Sequence, residues 1–222
     1  MLNIDVVILS YGKNEELRRL TRDTIHSLVE SEKDIRFNIF VVEQQHGINY
    51  AQATTVNINE PFNYNRFMNK GISIGMADYV ALCNNDLRFY EGWASRLIAA
   101  MKDNDLLSAS PFCPNMQGRM HRKWEAISYG YKIRHELSGW CIVCNRKLFD
   151  IIGQLEEGFP FWFADNIYAM QLKKHGIKHA LIRDSLVLHY GSKTLKTMQP
   201  AQQHKLTWEE KKRFAQLYGK TE

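Results

Sequence analysis

The sequence is most informative at Asp78-Tyr79-Val80-Ala81-Leu82-Cys83-Asn84-Asn85-Asp86, where an apolar run ends abruptly in three polar residues. A short apolar run between polar residues predicts a strand that is buried on both faces. In open α/β sheets, ligands bind beyond the carboxyl ends of such strands. The triplet Asn84-Asn85-Asp86 is therefore the first candidate for a binding site.

Other apolar runs alternate with helical patterns along the chain. Residues 4–10 and 37–43 are predicted strands, and a final strand ends at His189. Strands that alternate with amphipathic helices are typical of an α/β fold, here a mostly parallel central sheet flanked by helices. The 222 residues are 45% hydrophobic, which suits one sizeable domain. We assign residues 1–195 to that domain and residues 196–222 to a C-terminal helical tail.

Local signals predict where several elements begin and end. Asn14 is the predicted N-cap of the helix that follows the first strand. Pro111 is expected to end a strand over residues 106–110. Thr207 and Glu210 have the spacing of a capping box, so we predict that they start the C-terminal helix.

Charge and cysteine content narrow the choice of partners and compartment. The net charge of +5 favours anionic partners such as nucleotides, nucleic acids or acidic membrane surfaces. No apolar stretch approaches the roughly 18 to 20 residues of a membrane-spanning helix. Because the N-terminus also lacks the pattern of a secretory signal, we expect no membrane span and a cytoplasmic protein. The four cysteines are irregularly spaced, which predicts reduced thiols, and Cys141 and Cys144 should face opposite sides of one strand.

Polar residues follow four of the predicted strands. A diphosphate leaving group needs its charge neutralised, and one carboxylate with one imidazole can hold a divalent cation for that task. Asp86 and His189 suit this role. Each also has a structural interpretation, because the triplet at Asp86 is typical of a β-turn and His189 could be a hydrogen-bonded core histidine. The polar strand ends are Ser10-Tyr11, Glu43, Asn84-Asn85-Asp86 and His189.

Asp165 follows the aromatic run Phe159-Pro160-Phe161-Trp162-Phe163 and precedes a predicted helix. A carboxylate at this position can cap the helix through its free amide groups. It can also act as a general base, because burial against aromatic rings raises a carboxyl pKa whereas helix amides lower it. The sequence leaves both roles open.

The order of these motifs resembles that of family 2 glycosyltransferases with the GT-A fold, over residues 1–195. No single motif is highly specific, but their joint order is. The motifs similar to the nucleotide-binding half lie in residues 1–110 and are Ile4-Asp5-Val6-Val7-Ile8-Leu9-Ser10-Tyr11, Val41-Val42-Glu43, Asn69-Lys70-Gly71-Ile72 and Leu82-Cys83-Asn84-Asn85-Asp86. Those similar to the acceptor half lie in residues 111–195 and are Ser138-Gly139-Trp140-Cys141, Gly153-Gln154-Leu155, Phe161-Trp162-Phe163-Ala164-Asp165 and His189-Tyr190-Gly191-Ser192.

The resemblance implies an inverting, metal-dependent transfer from a sugar nucleotide, usually uridine- or thymidine-linked, with Mn²⁺ or Mg²⁺. By position, Asp86 would bind the metal, and His189 would complete its shell or touch the diphosphate. Asp165 would accept the proton of the attacking hydroxyl group. The positions implied for donor binding are Ser10, Tyr11 and Glu43 in the nucleoside pocket, Asn69 and Lys70 nearby, and Asn84 near the ribose with Asn85 beside it.

The chain departs from the family pattern at three positions. The family usually has Asp where Glu43 stands, often has Asp at the position of Asn84, and often has an acid in place of Ala164. The chain also lacks a Q-x-x-R-W sequence and a membrane segment, which argues against a processive polysaccharide synthase.

Two other classes match parts of the sequence. A sugar nucleotidyltransferase would share the sheet, but the glycine-rich basic loop expected after the first strand is absent. A non-catalytic nucleic-acid-binding protein is favoured by a loop-rich insertion over residues 112–135. The same insertion suits an acceptor loop, so the acceptor is a saccharide or, as a second hypothesis, a hydroxymethylated DNA base. The basic and aromatic residues of the insertion are Arg119, His121, Arg122, Lys123, Trp124, Tyr129, Tyr131, Lys132 and Arg134.

Overall fold

The computed structural model describes residues 1–118, 125–191 and 200–219. The strands are β1 (Leu2–Ser10), β2 (Ile35–Glu43), β3 (Thr54–Asn57), β4 (Tyr79–Asn84), β5 (Leu87–Phe89), β6 (Ser108–Phe112), β7 (Ile127–Tyr129), β8 (Cys141–Asn145) and β9 (His179–His189). The helices are α1 (Glu15–Glu30), α2 (Tyr64–Ile74), α3 (Trp93–Asp103), α4 (Pro114–Gln117), α5 (Lys147–Ile152), α6 (Ala164–Lys174) and α7 (Pro200–Tyr218).

The strands form one sheet in the order β3-β2-β1-β4-β8-β6-β9-β5, and β7 pairs with β9 off this path. The N-terminal strands β3, β2, β1 and β4 pair with one another in parallel. In the C-terminal half, β6 and β9 are parallel, whereas β8 pairs antiparallel with β4 and β6, and β9 pairs antiparallel with β5 and β7. The α/β sheet flanked by helices is confirmed, but a mostly parallel arrangement holds only for the N-terminal half. An apolar run predicts burial and does not reveal strand direction.

Successive side chains of β1 pack on opposite faces of the sheet, and helices cover both faces. Val6 and Ile8 join a core that includes Ile25 and Leu28 of α1. The core on the other face contains Val7 together with Phe67 and Met68 of α2 and Tyr168 and Leu172 of α6. A sheet that is buried on both faces explains why its strands read as continuous apolar runs.

Asparagine side chains cap the first two helices, α1 and α2. Asn14 Oδ1 accepts a 2.9 Å hydrogen bond from the Leu17 amide, which confirms the predicted N-cap of α1. Asn63 Oδ1 accepts a 3.0 Å hydrogen bond from the Arg66 amide in the same way. Each cap satisfies one of the free amides at a helix start. The second cap fixes the start of α2 at Tyr64.

The four cysteines are buried free thiols, as the sequence predicts. Cys141 and Cys144 belong to cores on opposite faces of the sheet, so they share no site. Cys83 lies opposite Cys141 in the β4–β8 pair, with the sulfur atoms 3.7 Å apart. Burial raises the pKa of Cys141 well above its ordinary value and that of Cys144 to about 12. Because only thiolates react readily, these thiols are unreactive.

The prediction that Pro111 ends its strand is wrong. β6 continues through Pro111 to Phe112. Pro111 pairs with Ile182 and Phe112 pairs with Leu186, so residues 183–185 are extra residues on β9 and form a bulge. Proline cannot donate to a strand ladder, and it is tolerated where a bulge already interrupts that ladder.

The predicted start of the C-terminal helix is also wrong. α7 begins at Pro200, so Thr207 and Glu210 lie within it rather than at its N-terminus. Their side-chain oxygen atoms accept hydrogen bonds from Trp162 instead of capping the helix. The remaining residues of the predicted tail, 196–199 and 220–222, lie outside the described residues. In the part of the chain that the structure covers, no helix is long and apolar enough to cross a membrane.

Candidate functional site

The ends of β4 and β9 bring Asp86 and His189 together. Leu87 pairs antiparallel with His189, and the Tyr190 amide donates a 3.0 Å hydrogen bond to the Asp86 carbonyl group. These backbone contacts place His189 Nε2 3.2 Å from Asp86 Oδ1. The side chains are 11% and 6% exposed, respectively. Two residues far apart in the chain therefore share one largely buried location, which we call the Asp86–His189 pair.

The two side chains of this pair are adjacent without being hydrogen-bonded. Both ring nitrogens of His189 are buried, and neither has a hydrogen-bond partner within residues 1–118, 125–191 and 200–219. Buried polar atoms without partners cost free energy, so a ligand that bound these ring nitrogens would remove that cost. One carboxylate oxygen beside one imidazole nitrogen fits a divalent cation.

The pair could supply only part of a metal's coordination shell. Among the residues that the structure places, no group of three or more His, Cys, Asp or Glu side chains could hold a metal ion. A cation held by Asp86 and His189 therefore needs further oxygen ligands from a substrate or from water.

Trp140 forms one wall beside His189. The two rings stack with their centroids 5.5 Å apart and an interplanar angle of 16°. Cys113 Sγ accepts a 3.4 Å hydrogen bond from the His189 amide, and the Trp140 carbonyl accepts a 2.9 Å hydrogen bond from the Asn84 amide. The stack fixes the plane of the imidazole and hence the direction of its nitrogen atoms.

Asp165 lies in the first turn of α6, where its Oδ1 accepts a 3.0 Å hydrogen bond from the Asn166 amide. Burial raises the pKa of Asp165 above its ordinary value, although this hydrogen bond and the nearby charge of Arg134 oppose the shift. The sequence left open whether burial or the helix amides would dominate the pKa of Asp165, and the effect of burial is the larger one. A raised pKa makes the carboxylate a stronger base.

Because Gly139 has no side chain, the side chain of Asp165 can pack directly against its backbone. A Cβ atom on Gly139 would lie 2.9 Å from Asp165 Cβ, which is closer than non-bonded carbon atoms approach. Beside them lies a small cavity of about 20 Å³, which Tyr64, Leu155 and Tyr168 also line. A cavity of roughly this size holds one water molecule.

Tyr64 lies between the end of β4 and the segment at Gly139 that packs against Asp165. Its hydroxyl group donates a 2.8 Å hydrogen bond to the Gly139 carbonyl and lies 3.4 Å from Asn84 Oδ1. Burial raises the pKa of Tyr64 well above its ordinary value, and the charges of Asp165 and Asp86 both add to this shift. Both carboxylates thus act electrostatically on the same phenol. We define the site cluster as Tyr64, Asp86, Trp140, Asp165 and His189.

No sequence motif pointed to Tyr64, and Trp140 was noted only as part of the motif Ser138-Gly139-Trp140-Cys141. The asparagine N-cap directly before Tyr64 was a usable signal, because it places this side chain in the first turn of α2. The contacts of Tyr64 with residues far along the chain had no signal in the sequence.

Ser10, Glu43 and Asn85 belong to a different polar group. Ser10 Oγ lies 2.9 Å from Thr21 Oγ1 and 3.1 Å from the Tyr50 hydroxyl oxygen. Asn85 Nδ2 donates a 3.0 Å hydrogen bond to Thr21 Oγ1, and the Tyr50 hydroxyl donates a 2.8 Å hydrogen bond to Glu43 Oε2. We define the buried network as Ser10, Thr21, Glu43, Tyr50 and Asn85.

Glu43 is fully buried within this network. Its Oε1 accepts hydrogen bonds from the amides of Gly12 and Gln45, at 2.9 and 2.7 Å. Glu43 therefore ties together the loops that follow β1 and β2. The nucleoside contact that the resemblance implies for Glu43 and Ser10 stays a prediction.

The other positions implied for donor binding have separate surroundings. Tyr11 is half-buried directly after β1. Asn69 Nδ2 donates a 2.8 Å hydrogen bond to the Leu155 carbonyl, and its Oδ1 accepts one of 3.0 Å from the Leu155 amide. Lys70 forms an ion pair with Glu60. Asn69 thus fastens α2 to the segment before α6, and neither its side chain nor that of Lys70 binds within the site cluster.

The insertion over residues 112–135 is described only in part. It contains α4 and β7, and β7 pairs with β9. The nucleic-acid hypothesis depends on basic and aromatic residues of this insertion and stays a prediction. Five of these residues lie outside the described residues: Arg119, His121, Arg122, Lys123 and Trp124.

Comparisons with known proteins identify the fold. No family model and no curated protein matches the sequence. Among solved structures, the chain is similar to the crystal structure of GalNAc-T7 with UDP, GalNAc and Mn²⁺, with a TM-score of 0.63 and 11% sequence identity. The match covers 85% of this chain and 44% of that chain, so this chain spans less than half the length of GalNAc-T7 in that structure. The protein therefore has a GT-A-like fold, a mixed α/β architecture with a central sheet flanked by helices.

Proposed function

We propose that the protein is a metal-dependent glycosyltransferase that moves a sugar from a nucleoside diphosphate donor, with UDP as the first candidate, onto an acceptor hydroxyl group. The observation that carries this proposal is the Asp86–His189 pair, a carboxylate and an imidazole that lie together, largely buried, at the ends of strands in a GT-A-like sheet. The similar structure of GalNAc-T7 contains UDP and Mn²⁺, which belong to the ligand classes proposed here.

The pair would hold one side of a Mn²⁺ or Mg²⁺ ion through Asp86 Oδ1 and His189 Nε2. A bound divalent cation neutralises the charge that develops on a departing diphosphate. Trp140 keeps the imidazole in the plane that this role requires, because its ring stacks on His189. Because both side chains are largely buried, little water screens their charges and their electrostatic interactions with a cation are stronger than in water.

Asp165 is the proposed general base. The oxygen of the acceptor hydroxyl attacks the anomeric carbon of the donor sugar, and the bond from that carbon to the diphosphate oxygen breaks. The electron pair of this bond leaves with the diphosphate, and the hydroxyl proton passes to Asp165. The raised pKa of Asp165 supports this assignment. Attack from the face opposite the leaving group inverts the anomeric configuration, which nuclear magnetic resonance of the product would reveal.

A saccharide hydroxyl is the proposed acceptor. The half-buried rings of Phe161 and Trp162 lie close before Asp165 in the chain. Ligand sites typically combine aromatic walls with a few polar groups, and these rings would supply such a wall for a sugar. A hydroxymethylated DNA base stays the second hypothesis for the acceptor.

Calorimetric titration with UDP, with and without Mn²⁺, tests the metal assignment. Wild-type protein should bind UDP more tightly when Mn²⁺ is present, and Asp86→Ala should weaken that binding by at least about tenfold. Asp78→Ala is the matched control, because Asp78 is exposed directly before the other end of β4. UDP binding that is independent of both Mn²⁺ and Asp86 would contradict the metal assignment. A protein that neither binds UDP nor hydrolyses UDP-sugars would contradict the wider proposal.

A further inference from the structure

Helix α7 binds the turn that precedes Asp165. Glu210 Oε2 accepts hydrogen bonds from two consecutive backbone amides, those of Trp162 at 2.6 Å and Phe161 at 3.3 Å. The Trp162 indole donates a 3.0 Å hydrogen bond to Thr207 Oγ1, and Arg213 Nη1 donates one of 2.8 Å to the Gly158 carbonyl. The backbone of this turn is therefore held at several points by one helix.

The next residue of the turn, Phe163, has an unfavourable backbone conformation. It is the N-cap of α6 with a φ of 65°, and its side chain makes no capping hydrogen bond. A bulky residue in the left-handed region persists only where its surroundings hold it. The Phe163 ring stacks on Phe214 of α7, with centroids 4.3 Å apart and an interplanar angle of 17°. Phe214 is buried, and it also packs against Phe159.

From these contacts we propose that Glu210 and Phe214 are positioning residues for Asp165, an inference that rests on the proposed role of Asp165 as the base. Glu210 fixes the backbone at residues 161–162, and Phe214 fixes Phe163. Only Ala164 separates Phe163 from Asp165, so the direction in which the carboxylate enters the site depends on how α7 holds the turn.

The buried carboxylate of Glu210 distinguishes a helix that positions the turn before Asp165 from a helix that only covers an apolar surface. A helix that only covered an apolar surface would gain more from an aliphatic side chain, because burying a carboxylate is costly. Glu210 is only 6% exposed, and burial raises its pKa. Its Oε2 accepts hydrogen bonds from the amides of two consecutive turn residues. The buried acid therefore serves the geometry of that turn.

A direct test follows the titration of the Asp165 carboxyl carbon by nuclear magnetic resonance in the full-length chain. The signal is assigned by its loss in Asp165→Asn. In Glu210→Ala, the pKa of Asp165 should move back towards its ordinary range, because a released carboxylate gains water. Glu210→Gln keeps an acceptor oxygen and should retain the wild-type titration. Glu209→Ala changes an exposed neighbour on the same helix and is the matched control. An unchanged titration in folded Glu210→Ala would overturn the proposal.

Phe214→Leu provides a second variant if Glu210→Ala does not fold. It keeps an apolar contact with Phe159 but removes the ring stack on Phe163. The titration of Asp165 should shift in the same direction as in Glu210→Ala. A wild-type titration in this variant would also overturn the positioning role.

Activity measurements separate this inference from the proposed function. Glu210→Ala should lower kcat for sugar transfer by between about 10-fold and 100-fold, because small misplacements of a reacting group are that costly. The affinity for UDP should not change, and Glu210→Gln should restore kcat. If wild-type protein fails to bind UDP and fails to transfer sugar, the proposed function is wrong, while the titration still decides whether α7 positions Asp165.

Discussion

The buried network and the site cluster use similar polar residues in opposite ways. In the buried network, Glu43 receives three hydrogen bonds from neighbouring protein groups. In the site cluster, both ring nitrogens of His189 are buried without a hydrogen-bond partner among the residues placed by the structure. Buried polar groups with partners hold a fold together, whereas those without partners reduce stability unless a ligand binds them. The contrast therefore separates groups that hold loops from groups that serve a substrate.

The largest expected effect tests the functional side of this contrast. Asp165→Asn should lower the rate of sugar transfer by about 100-fold to 10,000-fold, because the amide cannot accept the proton. Binding of UDP should be largely retained. Single-turnover kinetics together with UDP titration would measure both quantities. Transfer at the wild-type rate would remove Asp165 from the mechanism and weaken the contrast.

The same variant has a defined consequence for stability. Because burial raises the pKa of Asp165 in the folded state, folding favours the protonated carboxyl group. This contribution to stability is fully present below the ordinary carboxyl pKa and is lost as the pH rises through the raised pKa of the folded protein. Asp165→Asn should remove that loss, so its free energy of unfolding should depend less on pH across this interval. Unfolding by urea at two pH values would show the difference.

The next largest effect tests the structural side. Glu43→Ala leaves three donors without their acceptor, the amides of Gly12 and Gln45 and the hydroxyl group of Tyr50. We expect the free energy of unfolding to fall by about 3 kcal/mol. The melting temperature should fall by roughly 6 to 12 °C, as scanning calorimetry would measure. The exposed acid Glu16 provides the control variant Glu16→Ala, which should melt like wild type. Equal melting of the two variants would show that the network does not hold the loops.

The smallest expected effect comes from removing a purely local contact, which gives a reference for the buried network and the site cluster. Asn14→Ala removes the N-cap of α1 and should lower the free energy of unfolding by about 1 kcal/mol. Affinity for UDP and Mn²⁺ should stay at the wild-type value, because the side-chain oxygen of Asn14 binds the Leu17 amide. Thermal unfolding and UDP titration would check the two halves of this prediction. A large loss of affinity would place Asn14 among the functional groups instead.

The N-terminal half was accessible from the sequence because its signals are local. β1 and β2 each contain a short apolar run, residues 6–9 and 39–42, and Asn14 lies directly before the helix that it caps. The C-terminal half depends on pairings between distant segments. The bulge that admits Pro111 into β6 arises on another strand, and the partner that removes Thr207 from a capping role is Trp162. Tertiary contacts override local propensity at both places.

The candidate site likewise contains residues that local sequence signals reveal and others that only tertiary contacts reveal. Asp86 and His189 were found because polar residues follow buried strands, and Asp165 was found because it follows an aromatic run. Burial could not be read from the sequence, and burial decides the basicity of Asp165 and places Glu43 inside the buried network. Tyr64 acquires its neighbours only when α2 packs beside Gly139.

Because of the bulge in β9, the geometry of the Asp86–His189 pair depends on how many residues this strand contains as well as on which residues they are. Residues 183–185 lengthen β9 before it reaches β5, where His189 lies opposite Leu87. Deleting one residue there would shift the register and turn His189 to the other face of the strand. Substitutions on this stretch keep the spacing of the pair, whereas an insertion or deletion there would change it.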